Sequence, residues 1–185
     1  MPAPDRRLLV GAAIVLLALN LRVAVGSVGV VLDALRADLG MSLGAAGVLT
    51  TLPVLSFAFF GSGSHGVVRS IGLHRTTAVL LAVTATGLAL RAVVDSTAPF
   101  LLLSVVSLAG AAVGNVILPA LAKVHFPDRI PLISSLYGAA LMTGAALGSV
   151  VTVPMADAFG GWRFGIGAWS LLALVTLLPW LRFLG

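Results

Sequence analysis

A chain of 185 residues that is 59% hydrophobic and only 9% charged cannot divide itself into an apolar interior and a water-facing surface, which excludes the soluble globular classes. The formal net charge of +5 would fit nucleic acid only if the basic residues shared one accessible face. They lie singly between apolar runs, so nucleic acid is set aside as a partner and the lipid bilayer takes its place. The lack of cysteine removes disulfides, thiolate metal ligands and cysteine nucleophiles.

The first apolar run, residues 8–32, is LLVGAAIVLLALNLRVAVGSVGVVL. About 20 apolar residues already cross the hydrocarbon core as a helix. Asn20 and Arg22 sit near its middle. A guanidinium at that depth costs about 2.5–3.5 kcal/mol on insertion scales. Each central Leu, Ile or Val returns about 0.3–0.6 kcal/mol, and the run holds fifteen of them, so it still inserts. The run is too long for a signal-peptide core and is read as a retained helix. A charge kept inside a membrane run marks a candidate functional site facing other helices or a watery cavity.

After a polar break at 33–42, a second run covers 43–60 with Pro53 inside it, and the glycine- and serine-rich stretch 61–66 is expected to weaken the helix. The third run, 76–94, is closed by Arg91 and Asp95. The fourth, 99–123, carries Asn115 and Pro119. A loop at 125–131 precedes the fifth run, 132–155, and a turn at 157–163 precedes the sixth, 164–181. Six crossings in one bundle, residues 1–185, put both termini on the same side of the membrane. That side holds Arg6, Arg7, Arg69, Arg75, Lys123, Arg129 and Arg182 against Asp5 and Asp128. The other holds Arg36, Arg91 and Arg163 against Asp33, Asp38, Asp95 and Asp157. The positive-inside bias makes the first side cytoplasmic, in an inner or plasma membrane. Trp162 and Trp180 are expected at the interfaces as anchors.

Three small-xxx-small pairs, Gly40/Gly44, Gly110/Gly114 and Gly144/Gly148, mark candidate close helix contacts. GAAGVLTTLP in the second run is echoed by GAALGSVVTVP in the fifth, and these runs cross in opposite directions. The expected fold class is therefore all-α, six membrane helices arranged as three plus an inverted three, over residues 8–95 and 99–182, which is how half of a major facilitator transporter is built.

Asn20-Leu21-Arg22, GNVILPALAKVHFPDR (114–129) and VTVPMADAFGGWR (151–163) together resemble the cyanate permease and nitroimidazole transporter branch of the major facilitator superfamily. The resemblance runs over nearly the whole chain but covers only the first half of such a transporter. It implies secondary transport by alternating access, with the first and fourth helices lining the cavity, so that Arg22 and Asn115 face the solute path. Asn20 lies about 200° around the helix from Arg22 and is expected to pack against a neighbour unless the helix unwinds near Gly26. The usual loop of the superfamily, G-x-x-x-D-x-x-G-R-[RK], is matched here by Gly72 and by Arg75 at its basic end, but Arg69 stands for the aspartate and His65 for the first glycine. Asp128 in the other cytoplasmic loop is the alternative latch partner for Arg69, with Arg75 and Arg129 nearby as further gating candidates.

No enzyme signature is present: no glutamate, no paired carboxylates within the runs, no phosphate-binding glycine loop. His65, His74 and His125 lack metal-ligand spacing and are read as solvated interfacial residues, so neither metal nor cofactor is expected. Arg22 carries the functional argument. Its fork of donors, always charged, suits an anion or a polar planar solute, and Asn115 donates or accepts beside it. The competing account has Arg22 bracing helix carbonyls or snorkelling outward. Ser27, Tyr137 and Thr143 are weaker substrate-binding candidates. A six-helix half leaves a cavity-facing surface bare, so the expectation is a homodimer or a missing second half. Against the permease stand a half-length folding unit without a complete pathway and half of a multidrug exporter.

Overall fold

A computed structural model of the chain describes residues 4–183. Among them are six helices long and apolar enough to cross a membrane and no strand. In chain order the helices are α1 (Pro4–Gly29), α2 (Leu32–Leu39), α3 (Leu43–Ile71), α4 (Leu73–Arg91), α5 (Thr97–His125), α6 (Ile130–Phe159), α7 (Trp162–Gly167) and α8 (Trp169–Leu181). This is a multi-pass membrane protein built as a six-helix half of the major facilitator fold.

The helices form two layers. In front, α3, α5, α1 and α6 stand side by side; behind, α4 and α8 pack on α5 and α1. The main pairings exchange between halves: α1 lies on α6 and α5 lies on α3. The first helix of each set of three thus packs on the second helix of the other set, as an inverted repeat requires. Side chains fill two clusters. One runs from Val10 and Leu17 of α1 to Leu121, Phe126 and Trp180. The other, at the opposite end, gathers Leu35 and Leu39 of α2 with Leu49, Phe100, Trp162 and Ile166.

Small residues set the closest approaches. An added Cβ at Gly144 would run into the Leu19 carbonyl, and one at Gly148 would meet the Val23 carbonyl at 2.9 Å. From α1 the fit is reciprocal, with Gly26 against the Ala145 carbonyl at 2.7 Å. Gly110 meets Thr84 and the Leu80 carbonyl, and Gly114 meets the Leu21 side chain. In lipid, where apolar side chains gain little by meeting, such backbone approach is what joins helices. The Gly40/Gly44 pair does no such thing. Gly40 is the left-handed C-cap of α2 at φ +59°, and Gly44 has only its neighbour Ser42 within reach.

Three boundaries, and the placing of two tryptophans, differ from the expectation. The first run ends at Gly29, and residues 32–39 form a separate amphipathic helix that buries Leu35 and Leu39 while Asp33 and Asp38 stay exposed. The stretch 61–66 continues α3 to Ile71. Ser62, Ser64 and Ser70 each donate to a carbonyl three residues back, and a backbone in hydrocarbon has no alternative hydrogen-bond partner to unwind toward. The sixth crossing is interrupted at Ala168, between α7 and α8. Trp162 and Trp180 are 6% and 0% exposed, buried in the bundle where interfacial anchoring was expected.

The two faces of the bundle carry different polar clusters. On the face holding both described ends, Arg7 pairs with Asp128 and stacks 5.4 Å over Phe126, while His74 Nε2 lies 2.9 Å from His125 Nε2. Those two histidines are half-buried among Trp180 and Phe183, which replaces the solvated reading; His65 alone is exposed. On the far face Arg163 joins Asp38 and Asp95 (2.6 Å), and the Trp162 indole donates to Asp38 at 3.0 Å. The Arg163 contact holds the Asp38 carboxyl below its ordinary range. A lowered folded value means that this tie stabilises above ordinary carboxylate pKa and fades as pH falls through the lowered one. Arg7 does the same for Asp128. The side chains of Asp5 and Arg6, counted with the cytoplasmic charges, lie outside the described residues.

Candidate functional site

The site is set by one crossing. Where α1 meets α5, the missing side chain of Gly114 admits Leu21; the two helices run antiparallel, so Arg22 and Asn115, each one residue further on, turn to the same side of the contact but step apart by about 3 Å along the axis. Both are half-buried. The span of α1 is Arg7–Gly29, which puts Arg22 about 6 Å from its midpoint, toward the far face. Its guanidinium carbon lies 5.8 Å from the ring of Phe57 on α3. A cation over a partly desolvated ring gains about 0.5–2 kcal/mol, less than the cost of its depth. Its buried Nε has no hydrogen-bond partner, and no carboxylate among the described residues pairs with it. Asn115 donates to the Ala111 carbonyl one turn back on its own helix, at 3.0 Å.

The other expected residues scatter. Asn20, rotated away from Arg22, is 1% exposed, with Oδ1 buried and unpartnered. Ser27 is fully buried, its hydroxyl also without a partner. Tyr137 packs half-buried against the cluster at the terminal face, and Thr143, beside Gly144, points to the outside. Gly144 lies at the level of Leu19, three residues short of Arg22, and Tyr137 comes seven residues earlier still, so it is about 15 Å down the helix from the Arg22 level. The gating set is also rearranged. Asp128 binds Arg7 on α1 and, at 3.6 Å, its neighbour Arg129; Arg69 and Arg75 are exposed, and the Arg69–Asp128 pair is not formed. Arg7 precedes the first apolar run, close enough in space to the 125–131 loop to take the carboxylate first.

One further residue, a cation, was misplaced by the sequence reading. Arg91, counted with the far-side charges that close the third run, is 1% exposed inside the bundle. The signal was available: Thr77, Leu81, Thr84, Leu88 and Arg91 recur at three- and four-residue steps, so Arg91 ends the buried stripe of α4. Its Nη2 donates to the Ala24 carbonyl across the bundle at 3.4 Å, a long contact, and its Nε has no partner. A cavity of about 210 Å³ separates α1, α3, α4 and α5 here, lined by Val25, Gly29, Pro53, Arg91 and Ser104 among others. It lies one turn outward of the Arg22–Phe57 contact, since Val25 and Gly29 follow Arg22 on its face and Pro53 precedes Phe57 by one turn.

Over 169 residues the chain is 39% identical to the uncharacterized transporter YycB of Bacillus subtilis (strain 168), covering 91% of this chain and 42% of that protein. It is 32% identical to the 2-nitroimidazole transporter of Escherichia coli (strain K12) over 95% of its own length and 44% of the relative's. With the cyanate transport protein CynX of the same organism it shares 33% over 90% and 44%. The chain belongs to the major facilitator superfamily, in this branch. It spans somewhat under half the length of the curated relatives it matches. No family model matches it.

Proposed function

We propose that this chain is one half of a secondary transporter that moves small anionic or polar solutes by alternating access, with Arg22 as the recognition group and Asn115 beside it. The observation that carries the proposal is the Arg22 guanidinium: about 6 Å from mid-span, half-buried, with its Nε unpartnered and no counter-charge among the described residues. A group with five fixed donors and only a ring face beside it has most of its hydrogen-bonding capacity left for a solute. Cyanate, a linear anion, and 2-nitroimidazole, a flat polar ring, are the solutes named for two relatives. Both are small and offer oxygen acceptors in a plane or line, which a guanidinium fork matches. Asn20 and Ser27, buried with free oxygens, act one layer behind as helix-packing polar groups that a shift of α1 would bring into play. Tyr137 and Thr143 belong to the path only in a different conformation of α6. Asp128 with Arg7, and the exposed Arg69, Arg75 and Arg129, form the gating face.

The companion half covers α3 and α6, whose most apolar stretches are only 22% buried, against 50% in α1, α4 and α5. A second copy of the chain, or a second six-helix half, supplies it. Both ends lie on the cytoplasmic side of the inner membrane. The corrected charge count favours this, because burying Arg91 leaves Arg36 and Arg163 as the far-face cations, each against an aspartate.

Uptake of labelled cyanate into liposomes carrying the assembled protein tests the proposal. Arg22→Ala should reduce uptake by at least tenfold while the purified protein keeps its assembly state. Unchanged uptake, or loss of assembly in place of uptake, contradicts it.

A further inference from the structure

Behind and outward of Arg22, a second cation is held under tighter constraint. Arg91 is 1% exposed, shares no ion pair with any described carboxylate, and has one acceptor, the Ala24 carbonyl at 3.4 Å. Its Nε is buried and unsatisfied. Across the same cavity Ser104 of α5 is fully buried, and its hydroxyl is likewise unsatisfied. The C-terminal ends of α1 and α4 carry partial negative charge that offsets part of the arginine's burial, but they accept none of the remaining donors in hydrogen-bond geometry. Two unsatisfied polar groups, one a full positive charge, lining one cavity are a donor set without an acceptor.

We propose that Arg91 and Ser104 form a second anion-binding site, distinct from Arg22, for a small monovalent oxyanion or carboxylate. The volume, about 210 Å³, falls below the usual range of about 300–1,000 Å³ for drug-sized ligands. It admits an ion of a few heavy atoms with one or two waters. The guanidinium fork takes two coplanar oxygens, and the Ser104 hydroxyl donates to the ion from α5. Val25, Gly29, Pro53 and Leu108 supply apolar walls that exclude bulk water and strengthen the charge interaction. Because the cavity opens one turn beyond Arg22 toward the far face, the site is a waiting position from which an anion steps inward to the central arginine. This goes beyond the function proposed above: the site exists whether or not Arg22 recognises the transported solute.

Nitrogen-15 NMR of the arginine side chains, in the full chain held in micelles, tests it, with sodium nitrate as the probe and sodium gluconate at equal ionic strength as the control. The Arg91 Nε signal, assigned through Arg91→Lys, should move saturably with nitrate and stay still with gluconate. Ser104→Ala should weaken that titration by about tenfold, the loss of one hydrogen bond to a charged group. Arg22→Lys should leave it in place, so a failure of the Arg22 proposal reads separately from a failure of this one. Should Arg91→Lys fail to fold, the remaining signal assigned by exclusion from the other arginine variants carries the same test. An Arg91 Nε signal that ignores nitrate, that drifts equally with gluconate, or that titrates unchanged in Ser104→Ala overturns the site and leaves the arginine as a brace on α1.

Discussion

The two sides of α1 make opposite use of the same sequence. Toward α6 the helix is welded: Gly144, Gly148 and Gly26 bring the backbones so close that a single added methyl meets a carbonyl. Toward α3 it is held apart, with Arg22 over Phe57 and a cavity of about 210 Å³ one turn away. Asn20, Arg22 and Ser27 are all polar residues of one apolar helix, yet their meaning depends on which side they face. A buried polar group against a welded seam is bound by its neighbours' packing, while one beside a gap keeps donors for something that comes and goes. The transport proposed above would use both, a rigid pair of helices and a cleft that the pair can open.

The largest expected effect comes from attacking the seam. Gly144→Val places branched bulk on the Leu19 backbone, which cannot yield as a side-chain tip would. The expected loss is about 3 kcal/mol or more, at the upper end of overpacking costs, read as loss of the monodisperse folded chain in size-exclusion chromatography. Gly63→Ala on α3, with nothing within 4 Å of the added carbon, should show no loss. If both variants behave alike, the seam is no tighter than the rest of the bundle. A smaller effect is expected on the cleft side. Phe57→Leu keeps an apolar side chain of similar bulk and removes the ring under Arg22, which should lower stability by about 0.5–1 kcal/mol and alter the midpoint of thermal unfolding only slightly. A loss as large as that of Gly144→Val would mean that Arg22 and Phe57 brace the fold.

Much of this contrast was legible in the sequence, and the reasons it was only partly so are physical. The six crossings follow from apolar length, and Gly110, Gly114, Gly144 and Gly148 announced contacts that the structure makes. Gly40 and Gly44 carry the same spacing but straddle a left-handed cap, so spacing alone does not separate a helix seam from a turn. Residues 61–66 look like a linker because glycine weakens helices in water; in lipid the backbone has nowhere else to bond, and the helix continues. Arg91 was counted with the far-side charges because a charge near the end of a run is ordinarily read as its boundary. Only the three- and four-residue stripe through Thr84 and Leu88 places it inside. Asp128 was matched with the wrong arginine because sequence gives the side of the membrane on which a charge lies, and not which of several cations there is nearest. That Arg22 and Asn115 turn to the same side of the α1–α5 crossing depends on Leu21 entering the space at Gly114, a contact between residues 93 positions apart in the chain that no local pattern encodes.

The account rests on the Arg22 side of α1 being reached by water, and the chain's lack of cysteine allows that to be measured directly. Single cysteines at Arg22, Asn115, Asn20 and Leu17 are exposed, in membranes, to a charged methanethiosulfonate that cannot cross lipid and reacts with hydrated thiolates. The account predicts rapid modification at positions 22 and 115, slowed by added cyanate, and none at positions 20 and 17. Protection of position 22 from the charged reagent, with modification only by a lipid-soluble maleimide, would contradict it.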